Sequence, residues 1–104
     1  MSVIVTFRVK GDPKELERRA AEHSDVLRGL AERAKERGVI AHRFYGSDDE
    51  IMMIDEWPDE ASFLRFFQNN REEIDPMMRT VASGDPVISF WRKLETHDEI
   101  GWGR

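Results

Sequence analysis

The sequence predicts a single α+β domain in which helices cover one face of a four-stranded antiparallel sheet. Two observations lead to this class. Segments rich in β-branched and aromatic residues alternate with segments of helical composition, in the order strand, helix, strand, strand, helix, strand. The length of 104 residues suits one domain with one hydrophobic core, and the chain has no cysteine from which a disulfide framework could be built.

The first half of the chain predicts one strand and a long helical region. Residues 3–9 (VIVTFRV) have the composition of a strand. Asp12 is a suitable N-cap, and the proline after it suits the first helical position. Helical composition then continues to Gly38, a typical C-terminal stop. His23 and Ser24 interrupt this region, which predicts either one bent helix or two short helices in line, the second capped by Ser24.

The second half predicts a hairpin, a second helical region and a last strand. Residues 39–45 and 50–57 have strand composition and are joined by the turn sequence GSDD. Asp59 is placed to cap the next helix, which we expect to break at the asparagine pair 69–70 and to continue for one or two turns. Residues 87–95 are the fourth predicted strand.

This order of elements is the ferredoxin-like βαββαβ arrangement, with both helical regions on one face of the sheet. We expect one such domain over residues 1–95 and a C-terminal tail over residues 96–104. The other face needs cover of its own, because residues 51–54 are apolar on both sides of their strand. The sequence therefore predicts a homodimer that packs through the helix-free sheet face, as in a dimeric α+β barrel.

Composition and missing motifs argue against several classes of function. The 21 acidic and 16 basic residues give a net charge of −5, which argues against a nucleic-acid partner. No apolar run approaches the ~18 residues that span a bilayer, so we expect no membrane partner. No glycine-rich loop joins a strand to a helix, and the histidines lack metal-ligand spacing, so we expect neither a nucleotide nor a metal. The absence of cysteine and of a signal-peptide pattern predicts a cytoplasmic protein.

His42 is the first candidate for a catalytic residue. It lies in the second strand, on a largely apolar face. A two-residue turn at Asp48 and Asp49 places it opposite Asp55, whereas a slip of one residue breaks that pairing. In the first register, Asp55 orients the imidazole and raises its basicity, so the pair suits a general base that takes a proton from a phenol or hydroquinone. The alternative is a structural histidine, and the sequence leaves both open.

Aromatic and polar side chains are candidates for substrate binding. Trp57, at the end of the third strand, either closes one end of a cavity and stacks on an aromatic ligand or plugs the core. Phe63, Phe66 and Phe67, with the methionines of the third strand and last helix, either line a cavity for a flat ligand or fill the core. Three polar residues are also candidates, and each has a structural alternative. Arg43 could be a charge at a sheet edge, Asn70 could end a helix, and His23 could pack at a helix break.

A resemblance to a known group supports this fold. The order of elements over residues 2–95, the Asp55-Glu56-Trp57 end of the third strand and the following helix sequence PDEASFLRFF resemble the antibiotic-biosynthesis-monooxygenase-like group of dimeric α+β barrels. The resemblance implies a homodimer with a ligand cavity between the sheet and the helices of each subunit. It also implies an oxygenase activity. The members of the group whose function is known include quinol oxygenases and oxygenases that act on polycyclic aromatic substrates without metal or flavin.

Heme-degrading members of the same group provide a contrast. They combine a Trp at the position of Trp57 with an Asn on the first strand and a His on the second helix. This chain has neither the Asn nor the His, so the resemblance does not extend to heme degradation.

The sequence leaves three functions to compare. The first is a cofactor-independent monooxygenase that acts on an aromatic or quinol-like molecule, in which His42 removes a proton and the substrate carbanion reacts with dioxygen. The second is a non-catalytic ligand-binding or stress-associated dimer whose cavity holds an apolar molecule. The third is a structural dimerisation module whose cavity is filled by its own side chains.

Overall fold

A computed structural model describes residues 1–102 of the chain. One antiparallel sheet, in the order β2-β3-β1-β4, is accompanied by four helices. The ferredoxin-like α+β fold predicted from the sequence is confirmed. In chain order, the elements are β1 Val3–Lys10, α1 Pro13–Glu22, α2 Ser24–Glu36, β2 Ala41–Gly46, β3 Glu50–Trp57, α3 Glu60–Asn69, α4 Arg71–Arg79 and β4 Val87–Trp91.

The first helical region is two helices, and the structure corrects the cap predicted for the second. Asp12 caps α1, with its side chain accepting a hydrogen bond from the Lys14 N–H. His23 separates the helices and is the N-cap residue of α2, without a side-chain capping bond, while Ser24 is already helical. Gly38 follows α2 with a φ of 111°, a conformation that favours glycine.

Two strands are shorter at one end than the sequence predicts, because their backbones have other partners or none. β2 begins at Ala41 rather than 39, since the Val39 N–H donates to the Ala34 carbonyl and still closes α2. β4 ends at Trp91 rather than 95. Trp91 pairs with Ile4, and β1 extends only one residue further in that direction.

The core lies between the sheet and the helices. Val5, Phe7 and Val9 of β1 share the helix-covered face with Ile51 and Trp57 of β3, and all five are buried. Burying each of the larger apolar side chains stabilises the fold by roughly 1.5–3 kcal/mol. The helices contribute buried residues to the same core: Leu16, Leu30, Ala34, Phe63 and Met78.

The opposite side of the sheet, termed the helix-free face, is partly apolar. Trp91 is 55% exposed there, and its Nε1–H donates to Thr6 Oγ1 at 2.8 Å. The indole therefore lies across β1 and buries Thr6. By register and alternation, the apolar and aromatic members of this face are Ile4, Tyr45, Met52, Ile54, Val87 and Trp91.

Beyond Trp91, the described residues have no regular secondary structure. A salt bridge of 2.8 Å joins Lys93 Nζ to Glu99 within this segment. The boundary at residue 95 between the domain and its tail stays a prediction. Gly103 and Arg104, which belong to the predicted tail, lie outside the described residues. No helix within residues 1–102 combines the length and apolar character needed to cross a bilayer.

The N-cap of α3 predicts a pH-dependent contribution to stability. Asp59 Oδ1 accepts the Ser62 N–H at 2.7 Å, and this bond, followed by the Ser62 hydroxyl, lowers the pKa of Asp59. A lowered folded-state pKa stabilises the fold above the titration range of an unfolded aspartate, and this stability is lost as the pH falls through the folded value.

We expect Asp59→Ala to lower the melting temperature most near neutral pH and less near pH 3, as measured by circular dichroism. Asp59→Asn, which keeps the capping oxygen, is the control. If the melting temperature of Asp59→Ala lies below that of the wild type by the same amount at every pH, the capping account is wrong.

Candidate functional site

The site is built around Asp55, a carboxylate buried in β3. Its side chain is 6% exposed. One oxygen, Oδ1, lies 2.6 Å from Nδ1 of His42, and the other, Oδ2, accepts the indole N–H of Trp57 at 3.0 Å. An unpaired carboxylate at this depth would cost several kcal/mol. The two partners provide the hydrogen bonds that make its burial acceptable, and they also fix its orientation.

The hairpin register brings His42 to this carboxylate. Asp48 and Asp49 form a two-residue turn between the paired residues Ser47 and Glu50, and His42 lies directly opposite Asp55. This is the first of the two registers that the sequence left open. With Asp55 ionised, the carboxylate can only accept a hydrogen bond, so the proton of a neutral imidazole lies on Nδ1. Nε2 then carries the free lone pair, as a general base requires.

His42 and Asp55 are the polar side chains in the wall of an otherwise apolar cavity. The cavity has a volume of about 70 Å³ and lies between the sheet and helices α2, α3 and α4. The imidazole is 31% exposed, and the ring of Phe44 packs edge-on against it with centroids 5.3 Å apart. The apolar wall consists of Phe7, Leu27, Leu30, Ala31, Ala34, Phe44, Met53, Phe63, Phe66, Phe67, Ile74, Met77 and Met78.

The aromatic candidates occupy two different layers. Phe63 and Phe67 line the cavity, and their rings stack with centroids 5.7 Å apart. Trp57 is fully buried and does not line it. Phe63 and Phe66 pack against the indole at 6.1 and 5.6 Å between centroids, so they lie where a ligand would meet it. Trp57 therefore reaches the site through its hydrogen bond to Asp55.

The three polar candidates for substrate binding lie outside this cavity. Arg43 is on the helix-free face, where its Nη1 donates to the Tyr45 hydroxyl at 3.3 Å. Asn70 lies between α3 and α4, with Oδ1 accepting from Arg33 and Nδ2 donating to the Phe66 carbonyl. His23 lines a separate cleft beside the break between α1 and α2. The structure thus brings His42, Asp55, Phe63 and Phe67 together and leaves these three apart.

Sequence reasoning did not assign the roof of the cavity to the site. Four residues of α2 (Leu27, Leu30, Ala31 and Ala34) face the cavity from above. They recur at the three- and four-residue spacing of one helix face, so a signal was present in the sequence. That spacing identifies a buried stripe, but it does not tell a cavity wall from a filled core. Within residues 1–102, no three His, Asp or Glu side chains cluster to hold a metal ion.

Comparisons with known proteins rest on structure alone. No protein-family model matches the chain, and no curated protein matches its sequence. A point mutant of SnoaB, a cofactor-independent oxygenase from Streptomyces nogalater, is 17% identical with a TM-score of 0.65, covering 94% of this chain and 98% of that one. An antibiotic biosynthesis monooxygenase is 15% identical with a TM-score of 0.65, covering 89% and 99%. A dimeric ferredoxin-like protein from an uncultured marine organism is 13% identical with a TM-score of 0.66, covering 90% and 89%.

The chain shares its fold with these proteins. This confirms, at the level of fold, the resemblance seen in the sequence. At 13–17% identity the likeness is one of fold and carries no activity with it. Within this fold, the site is therefore judged by its own side chains, above all by the His42–Asp55 pair.

The orientation of His42 can be tested by ¹⁵N nuclear magnetic resonance of its imidazole. In Asp55→Asn, the amide oxygen can keep the bond from Trp57, but the amide NH₂ then donates to Nδ1 of His42. We therefore expect the proton to move from Nδ1 in the wild type to Nε2 in Asp55→Asn, at a pH where the ring is neutral. Trp57→Phe keeps the carboxylate and should show the wild-type tautomer. The assignment fails if Asp55→Asn and the wild type carry the proton on the same nitrogen.

Proposed function

We propose that the protein is a cofactor-independent monooxygenase that oxidises a phenolic or anthrone-like aromatic molecule. The observation that carries the proposal is the His42–Asp55 pair, the polar feature in the wall of an apolar cavity. A base in such a setting can remove a weakly acidic proton, because the imidazolium that forms is paired with Asp55 and lies beside the resulting anion. The fold shared with SnoaB supports the same kind of chemistry.

In the proposed reaction, His42 Nε2 accepts a proton from the activated CH₂ of an anthrone-like substrate, or from the ring hydroxyl of a phenol or hydroquinone, whose anion carries part of its charge on an ortho ring carbon. The electron pair stays on the substrate as a carbanion that is delocalised over its rings. Dioxygen is the oxidant and adds to the carbanion carbon, and the proton returns from His42 to give a hydroperoxide. Loss of the C–H proton that remains on this carbon and cleavage of the O–O bond release water and leave a carbonyl. One oxygen atom enters the product and the other leaves in water.

The size of the cavity requires movement of its wall when a substrate binds. An apolar cavity that binds benzene has a volume of about 150 Å³, roughly twice the 70 Å³ found here. Met53, Met77 and Met78 belong to the wall, and methionine side chains adapt to new shapes at low cost because they are unbranched. Rotation of these side chains is therefore expected to make room for the substrate.

The same narrow cavity favours a second candidate, a non-catalytic protein that binds a small apolar molecule. In that case His42 is a structural residue whose role is to pair the buried Asp55. The third function left open by the sequence, a structural dimerisation module, needs a cavity that no ligand enters. Turnover and binding measurements on the same variants separate the three.

Oxygen consumption tests the catalytic role of His42. We expect anthrone-like and hydroquinone substrates to consume oxygen faster with the protein than without it, and His42→Ala to reduce this rate by about 10²- to 10⁴-fold, the usual contribution of a general base. His97→Ala removes a histidine from the exposed C-terminal segment and should retain the wild-type rate. Activity in His42→Ala equal to that of the wild type would overturn the assignment. Binding without turnover in either protein would favour the second candidate.

We also propose that the protein is a cytoplasmic homodimer joined through the helix-free face. Tyr45, Val87 and Trp91 are at least half exposed there, beside the half-buried Ile4 and Ile54. An apolar surface of this extent is typical of a protein interface. The marine protein that shares this fold is a dimeric ferredoxin-like protein, which supports a homodimer here as well.

Light scattering tests the dimer. We expect the wild type to have about twice the 12.2 kDa mass of the chain, and Ile54→Asp, which places a charge in the middle of the helix-free face, to be monomeric at micromolar concentration. Leu64→Asp is the matched control, because Leu64 is exposed on α3 and away from this face. A monomeric wild type would disprove the dimer, and a dimeric Ile54→Asp would disprove the choice of face.

A further inference from the structure

A second cleft lies beside the His42 cavity, between the break of α1 and α2 and the end of α4. Its volume is about 180 Å³, more than twice that of the cavity. Buried Leu16 and Val81 form part of its wall, and Val26, which is 39% exposed, marks its opening to solvent. Arg19 and His23 are its polar nitrogen-bearing residues. This cleft is termed the outer cleft.

Two side chains separate the outer cleft from the His42 cavity. Leu27 of α2 and Met77 of α4 line both spaces. Both are only partly buried, and Met77 is the unbranched and more adaptable of the two. Because the same two side chains line both spaces, the cavity and the outer cleft meet at Leu27 and Met77.

We infer that the cavity and the outer cleft form one elongated site for a phenol or hydroquinone that carries an alkyl chain. This inference rests on the proposed function, because the ring is placed at His42. The chain passes between Leu27 and Met77 and lies along the apolar floor of the outer cleft. A ring alone displaces Met77 for little gain, whereas a chain that follows it buries apolar surface in the space beyond.

The polar residues of the outer cleft indicate which chemical group suits the far end of the alkyl chain. Arg19 is held by Glu15, with Nε 2.9 Å from a carboxylate oxygen, so its remaining N–H groups are placed by that ion pair. His23 lies at the helix break on the same cleft. Both side chains can donate hydrogen bonds. An alkyl chain that ends in a hydroxyl or carbonyl group can accept hydrogen bonds from these two side chains, while the apolar part of the chain is buried in the cleft.

Binding of a series of 4-alkylphenols tests this inference by calorimetry. From 4-methylphenol to 4-octylphenol, below the aggregation concentration, we expect wild-type affinity to rise about 2- to 4-fold for each methylene that enters the outer cleft. Ala20→Phe fills the outer cleft without touching the His42 cavity. It should bind 4-methylphenol as the wild type does and bind 4-octylphenol no more tightly than 4-methylphenol. Ala61→Phe, at an exposed position of α3, is the control and should keep the wild-type dependence on chain length.

The outcomes separate this inference from the proposed function. If wild-type affinity for 4-methylphenol is measurable but does not rise with chain length, the elongated site is wrong and the proposed function stands. A dependence on chain length that survives in Ala20→Phe also overturns the inference. Where Ala20→Phe does not fold, Val26→Trp at the exposed side of the cleft gives the same readout. If 4-methylphenol does not bind and no substrate is oxidised, both the proposed function and the inference fall.

Discussion

A carboxylate can be buried in an apolar core only if it is paired, and the structure of this protein depends on how Asp55 meets that requirement. One partner, His42, lies on the neighbouring strand β2, and the other, Trp57, lies two residues further along β3. A slip of one residue in the hairpin would turn His42 to the opposite face and leave the carboxylate with the indole alone. Correct strand pairing and assembly of the site are therefore the same event.

Much of this arrangement could be predicted because its signals are local. β3 was expected over residues 50–57 and has those bounds, since an apolar run between the turn sequence GSDD and a proline defines a strand without reference to the rest of the chain. The pairing of His42 with Asp55 was one of the two registers that the sequence left open, and it is the one that a two-residue turn at Asp48 and Asp49 produces. The caps of α1 and α3 were likewise visible as an aspartate just before each helix.

The remaining features depend on contacts between distant elements, which periodicity does not specify. Alternation places Trp57 on the helix-covered face, but only the positions of Phe63 and Phe66 decide that the indole lies behind the cavity rather than in it. His23 and Asn70 lie in other clefts, at the junctions between α1 and α2 and between α3 and α4, and no spacing in the sequence specifies what those junctions face. β4 is short because β1 ends beside it.

The indole of Trp91 has a consequence for how association of the chain can be observed. It lies half exposed across β1, whereas Trp57 is fully buried in the core. The emission maximum of an indole shifts to shorter wavelength when water is removed from around it, so covering the helix-free face would change the fluorescence of Trp91 and leave that of Trp57 unaltered. The third tryptophan, Trp102, is 78% exposed in the C-terminal segment. With Trp102 replaced by phenylalanine, the protein carries an intrinsic optical probe at the surface where a second copy would bind, and dilution can be followed without any attached label.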